Sequence, residues 1–275
     1  MSRSQAFWQG KCVIVTGASS GIGKALAVHL TQQGAKVGLL ARRQTELQAH
    51  AAHLQAQGST VAWVCADVVD PEGMARAIAQ LEQQLGACDV LIANAGIYRK
   101  TDVKHFDLNA QHAVVATNLQ GVLNSIHAVL PGMMQRQQGH LVAIASIAGM
   151  IGLPAAGTYS ASKAAVVTLF QSLRVDLHPY GIKATVAAPG FVDTPIITDE
   201  ERASVKDLLT AEQAAARICT AIERNLALDW FPWQTWLACR LLSLLPSGLY
   251  RRLVANIPEM EEPTTPSPPS SEGKR

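Results

Sequence analysis

Lys11-Cys-Val-Ile-Val-Thr-Gly-Ala-Ser-Ser-Gly-Ile-Gly23 is the stretch from which the fold is read. A short run rich in β-branched residues ends at Thr16, a turn carrying Gly17, Gly21 and Gly23 follows, and a helical pattern continues to about Gln33. A strand, a glycine-rich turn and a helix in that order put backbone N–H groups at a helix N-terminus, where they can meet phosphate. Each glycine has a physical task. One permits the tight turn, one lets the backbone approach a pyrophosphate, and one lets helix and strand lie close together.

The same alternation continues outward. Ala35–Ala41, Thr60–Ala66, Cys88–Ala93, His140–Ser146 and Ile182–Ala188 read as further strands. Between them fall helical segments at Gln44–Gln57, Pro71–Leu85, Asn109–Gln137 and Thr158–Leu177, with a last one at Thr210–Asn225. Strand–helix alternation means a parallel sheet with helices on both faces, and strands apolar at nearly every position agree with cover on both sides. The expected class is α/β, a Rossmann-type doubly wound parallel sheet in a single domain, with a helical C-terminal extension. The expected divisions are 1–229 for the Rossmann-type domain, 230–257 for an amphipathic extension and 258–275 for a disordered Pro/Ser-rich tail.

Composition narrows the function classes. The chain has 275 residues, 48% hydrophobic and 16% charged, with a formal net charge of +2. A core of useful size is within reach, and without a basic run nucleic acid is not expected as a partner. Cys12, Cys65, Cys88, Cys219 and Cys239 form no CxxC pair, and three lie in or beside apolar runs, so buried free thiols in a reducing compartment are expected. The histidines show no metal spacing; His50 and His53 read as surface residues, and no metal is expected. The N-terminus lacks an apolar core of signal-peptide length, and no window of about 20 uncharged apolar residues is seen. A cytoplasmic location is the default expectation.

With the turn and the alternation in view, Thr16-Gly-Ala-Ser-Ser-Gly-Ile-Gly23 resembles the cofactor motif of the short-chain dehydrogenase/reductase family, over about residues 8–226. The resemblance implies a nicotinamide dinucleotide held by Gly17, Ser19, Ser20, Gly21, Ile22 and Gly23. An acid at the end of the second strand would bond the ribose of NAD and repel the 2′-phosphate of NADP. Here that strand ends Leu39-Leu-Ala-Arg42-Arg43. NADP (NADPH) is therefore expected over NAD, with Arg42 as the main phosphate contact and Arg43 or Ser19 assisting. By the same resemblance Asp67 and Val68 hold the adenine ring, and Asn94-Ala95-Gly96 shapes the sheet edge beside the cofactor. Pro189-Gly190, with Val192 and Thr194, meets nicotinamide and pyrophosphate.

Tyr159-Ser-Ala-Ser-Lys163 opens a helix, and an i, i+4 pair shares one helix face. A free phenol is a poor acid or base near neutrality; a nearby ammonium and an oxidised nicotinamide are expected to lower its pKa. Ser146, at the end of the fifth strand, can hydrogen-bond a substrate oxygen. Asn118, an unfavourable residue mid-helix, matches the family's asparagine, which distorts that helix and holds a relay water. Asn118, Ser146, Tyr159 and Lys163 thus form the expected catalytic set. They imply hydride transfer between nicotinamide and a carbonyl or secondary alcohol, with pro-S transfer by family analogy.

Pro195, Ile196, Ile197, Ile147, Leu153 and Tyr98 are candidate walls of an apolar substrate pocket within and beyond the loop Phe191–Lys206. Residues 230–253 concentrate tryptophan, leucine and arginine, and have two readings. One is an interfacial segment on a membrane surface that admits a lipophilic substrate; the other, favoured, is a lid or dimer cover. A homodimer or homotetramer through the two long helices is expected. A sugar-nucleotide epimerase would need a TGxxGxxG turn and a substrate domain. A catalytically idle NADP-binding sensor or scaffold would need neither Tyr159 nor Lys163.

Overall fold

A computed structural model describes residues 2–205 and 208–255. Seven parallel strands form one sheet: β1 (Cys12–Thr16), β2 (Lys36–Ala41), β3 (Val61–Cys65), β4 (Val90–Ala93), β5 (Gly139–Ile144), β6 (Ile182–Pro189) and β7 (Leu228–Phe231). Their order is β3-β2-β1-β4-β5-β6-β7. The chain winds outward from β1 to β3, then returns to β1's other side with β4. That reversal opens a crevice at the carboxyl ends of β1 and β4, where ligands of such sheets bind. Register is set along β1, whose Ile14 lies beside Gly38 of β2 and Leu91 of β4.

The alternation of side chains along each strand divides the core between two faces. Val13 and Val15 of β1 join Leu26 and Leu30 of α2 (Gly21–Gln32), Leu47 and Leu54 of α3 (Gln44–Ala56), and Ile218 and Ile222 of α9 (Ala211–Glu223) on one side. Cys12 and Ile14 join the other. There they meet Met74, Ile78 and Leu81 of α4 (Pro71–Leu85), Ile126 and Val129 of α6 (Gly121–Arg136), and Val166 and Phe170 of α7 (Gly157–Asp176). Helix α4 starts where its sequence dictates, with Pro71 in the first turn and the Asp70 carboxylate accepting the Gly73 N–H at 3.0 Å.

The long helix expected at Asn109–Gln137 is two helices, α5 (Leu108–Val115) and α6, joined through a π turn at Ala116–Gln120. By length and composition Leu108–Arg136 is the one described helix that could cross a membrane, which the sequence reading did not anticipate. Its apolar stripe of Val122, Ile126, Val129 and Met133 is spent on the core. One histidine expected at the surface is elsewhere: His50 is buried in α3, where loss of water lowers its pKa. Cys12, Cys88, Cys219 and Cys239 are buried free thiols, whereas Cys65 is exposed. No cluster of three or more His, Cys, Asp or Glu suited to a metal occurs among the described residues.

Four further helices were not expected in detail: α1 (Arg3–Trp8), α8 (Asp199–Ser204), α10 (Trp233–Leu242) and α11 (Ser247–Val254). Trp8 of α1 is fully buried, and its indole N–H donates to Glu223 of α9 at 2.7 Å. Strand β7 was also unforeseen and straddles the boundary expected at 229/230. Its Asp229 is buried and held by the Arg217 guanidinium through two bonds of 2.7 and 2.8 Å. Residues 258–275, where a disordered tail was expected, lie outside the described residues, as does Lys206.

Candidate active site

The phosphate turn is built around absent side chains. Gly17 has φ of +67°, and a Cβ there would lie 2.9 Å from the Ala95 Cα. A Cβ on Gly23 would lie 2.4 Å from the Gly17 carbonyl oxygen and 2.5 Å from the Asn94 Nδ2. Bare backbone is thus presented at the start of α2, in the form that a pyrophosphate requires. Residues of β1 and β4 hold this shape. The Thr16 hydroxyl accepts from the Asn94 and Ala95 N–H groups, both at 3.0 Å, and the Asn94 amide donates to the Thr16 carbonyl at 2.9 Å. Thr16 was read only as the start of the motif, with no task of its own. A hydroxyl closing an otherwise aliphatic β-branched run was the signal that could have found it.

At the end of β2 the two arginines divide their tasks. Arg43 donates to the Ser19 hydroxyl at 3.2 and 2.9 Å and to the Ser20 hydroxyl at 2.5 Å. Arg42 instead faces Asp67 at 3.6 Å across a solvent-exposed gap, a pair of little energetic weight. The guanidinium that touches the turn is therefore Arg43's, although Arg42 was expected to lead. Both line the cavity described next.

Of the residues expected at the site, all except Gly23 and Asn118 line a single cavity of about 660 Å³ above the carboxyl ends of the strands. Gly17, Ser19, Ser20, Gly21 and Ile22 form one end, with Arg42, Arg43, Asp67 and Val68 beside them. Asn94, Ala95 and Gly96 cross the middle. Ser146, Tyr159, Lys163, Pro189, Gly190, Val192 and Thr194 close the far side. Thr194 also touches the turn, since a Cβ on Gly21 would come within 3.0 Å of its methyl group. The expected apolar walls Tyr98, Ile147, Leu153, Pro195, Ile196 and Ile197 are all present. Thr235, Ala238, Cys239 and Leu242 of α10, in the segment whose favoured reading was a lid or dimer cover, add a further wall.

Tyr159 and Lys163 lie one turn apart on α7. The Lys163 ammonium donates to the Ile144 carbonyl at 2.9 Å and stands 5.7 Å from the centre of the Tyr159 ring. Burial pulls the Lys163 pKa down to about 8. Burial pushes Tyr159 above the ordinary phenol value, opposed by a hydrogen bond with the Ser146 side chain. The lowering expected from Lys163 is not among the influences on this hydroxyl. The ammonium is spent on the Ile144 carbonyl, and the desolvated phenol favours its neutral, proton-bearing form. Edge-on packing of Tyr98 against Tyr159, with centroids 5.6 Å apart, fixes the ring.

Asn118 stands behind the cavity wall, fully buried in the π turn. Its amide oxygen accepts the Ile97 N–H at 2.8 Å, and its amide N–H₂ donates to the Ile97 carbonyl at 3.0 Å and the Ser162 hydroxyl at 3.1 Å. Ser162 in turn donates to the Tyr159 carbonyl at 2.7 Å. The asparagine thereby ties the distorted helix to the loop after β4 and to α7. A Cβ on Gly96 would sit 3.3 Å from the Lys163 Nζ and 3.4 Å from the Asn118 Oδ1, so that glycine lies against both groups. Ser162 was overlooked, although its place three residues after Tyr159 put it on a neighbouring part of the same helix face.

Comparison with known proteins supplies the family. Residues 11–204 match the short chain dehydrogenase family. An uncharacterized oxidoreductase of Myxococcus xanthus is 36% identical over 87% of this chain and 94% of its own length. Dehydrogenase/reductase SDR family member 7B of Mus musculus is 34% identical over 92% of this chain and 83% of its own. Among solved structures, the apo form of LigD from Sphingobium sp. strain SYK-6 superposes with a TM-score of 0.76 at 25% identity, covering 92% of this chain and all of that one. The chain belongs to the short-chain dehydrogenase/reductase family and is an NAD(P)-dependent oxidoreductase.

Proposed function

We propose that the protein uses NADP(H) in preference to NAD(H) to interconvert a carbonyl and a secondary alcohol on a lipophilic small molecule. The observation that carries this reading is the single cavity shared by the bare glycine turn, the Ser146–Tyr159 pair and the apolar walls. The fit of a dinucleotide rests on the missing Cβ atoms at Gly17 and Gly23 and on the guanidinium at Ser19 and Ser20. Bound there, the dinucleotide supplies or accepts the hydride.

The chain's own residues handle the proton and the alignment. Tyr159, neutral through burial, donates its proton to a substrate carbonyl oxygen in reduction and takes one back in oxidation. Ser146 shares that oxygen and fixes its position. Lys163, its pKa drawn down by burial to about 8, can return a proton to the phenol, and Asn118 holds the wall that keeps Lys163 and Gly96 in place. A lysine held in a desolvated site at a folding cost has no purpose in an idle dinucleotide sensor, so that alternative draws no support. The NADP preference rests on the absence of an acid at the end of β2 and on the paired arginines there. Homo-oligomerisation through α5–α6 and α7 and a cytoplasmic setting belong to the same reading.

The test is NADPH and NADH oxidation with a panel of ketones, aldehydes and lipophilic 3-oxo compounds. Tyr159→Phe is expected to abolish turnover while leaving NADPH binding, read by fluorescence, intact. Arg43→Asp is expected to weaken NADPH binding roughly tenfold to a hundredfold, the worth of a charged hydrogen bond, and NADH binding little. Turnover retained by Tyr159→Phe would end the mechanism.

A further inference from the structure

The last two helices are two-faced. On α10, Thr235, Ala238, Cys239 and Leu242 line the cavity. Trp233, Leu237 and Leu241, continued by Leu244, recur at helical spacing on the opposite side, within an arc of roughly 100°. They are open to solvent, Trp233 at 64%, Leu241 at 57% and Leu244 at 66%. The pattern continues on α11. Its Tyr250 hydroxyl donates to the Gly152 carbonyl of the cavity loop and its Val254 is buried, while Leu249 and Leu253 face outward. Six of the thirteen exposed large hydrophobic side chains among the described residues thus fall in 233–253. Such a concentration marks a surface that meets something apolar.

The charges on the same segment say what that is. Arg240 and Arg251 are exposed, and between Asp229 and Glu259 the chain carries no acidic residue. A second copy meeting this face across a two-fold axis would bring the same arginines together, with no acid on either segment to answer them. An anionic bilayer offers both missing complements, acyl chains for the leucines and tryptophan and phosphate headgroups for the arginines.

We propose that α10 and α11 dock on an anionic lipid surface through Trp233, Leu237, Leu241 and Leu244 with their flanking arginines, while α10's opposite face walls the substrate cavity. The helix that closes the cavity is then the helix that lies in the bilayer interface, so the substrate is a lipid-dissolved carbonyl or alcohol. Only that last clause rests on the proposed reaction. The docking stands or falls separately.

The test is flotation of the full chain on phosphatidylcholine vesicles with and without phosphatidylglycerol, at low and high salt. Two arginines near an anionic surface strengthen attachment roughly thirtyfold over neutral vesicles. The combined variant Trp233→Ser, Leu237→Gln, Leu241→Gln is expected to stay in the soluble fraction yet turn over a water-soluble ketone as the parent does. A parent that fails to float on anionic vesicles, or a variant that floats as well as the parent, overturns the proposal. So does a variant that becomes monomeric by light scattering with flotation unchanged, since a second copy would then be the occupant. Flotation without carbonyl turnover by the parent would leave the docking standing and remove the proposed reaction.

Discussion

Lys163 is expected to weaken the fold that it serves, and the size of the effect can be worked from its surroundings. Its ammonium is buried on α7 with the Ile144 carbonyl as its hydrogen-bond acceptor, and its pKa falls from 10.5 to about 8. At 1.36 kcal/mol per unit, holding the charged form in the native state costs roughly 3 kcal/mol relative to water. Lys163→Met removes that cost and gives up one hydrogen bond worth about 1 kcal/mol. The variant should therefore be more stable than the parent by roughly 2 kcal/mol at pH 7. The sign reverses on alkaline titration. Between about 8 and the unfolded value of 10.5 the native parent sheds its proton while the unfolded chain keeps it, so the parent gains stability as pH rises. By pH 10 that gain amounts to roughly 2.5 kcal/mol, and the variant's advantage disappears. Urea unfolding at pH 7 and pH 10, with equal m-values, reads both quantities. NADPH turnover should fall by roughly a hundredfold or more. A variant less stable than the parent at pH 7, by an amount unchanged at pH 10, would refute the reasoning.

Two further outcomes follow from the geometry. Gly23→Ala places a methyl group 2.4 Å from a backbone oxygen. The turn must shift, and NADPH affinity should drop roughly tenfold or more, as overpacking by one carbon costs about 1–3 kcal/mol. Titration calorimetry would show it, and unchanged affinity would contradict the close-approach argument. Trp8→Ala empties a fully buried site between α1 and α9 and leaves Glu223 without the indole. A loss of about 3–5 kcal/mol is expected, lowering the melting temperature by roughly 10 °C. Calorimetric melting checks this, and a shift within a degree or two would mean that α1 is dispensable.

The parts of the fold legible in the sequence were those where one side chain pattern had one physical reading. Runs such as Cys12–Thr16 are apolar on both sides because helices cover both sides, and the three glycines at the turn admit few other roles. Tyr159, Lys163 and Ser146 converge on the cavity as their spacing on α7 and at the end of β5 implied. What escaped depended on partners distant in the chain. Strand β7 is four residues long and carries an acid, which reads as strand only once Arg217 is seen to hold Asp229. Arg42 and Arg43 are neighbours of one chemistry, and only side-chain torsions send the second to Ser19 and Ser20. Which face of α10 turns inward was hidden because its inward residues Thr235, Ala238 and Cys239 are less apolar than its outward ones. His50 looked like a surface residue because its neighbours in α3 are mostly polar.

The clasp of Thr16 on Asn94 and Ala95 has a kinetic corollary. A turn closed by three hydrogen bonds from the protein's own atoms has its final curvature before any ligand arrives. On the proposed reading, a dinucleotide surrenders little of the chain's conformational freedom on association, so encounter is governed by diffusion and charge, and residence time by how quickly its contacts let go. Differences in cofactor affinity among variants of the β2 rim should then surface as changes in dissociation rate, with capture from solution nearly constant.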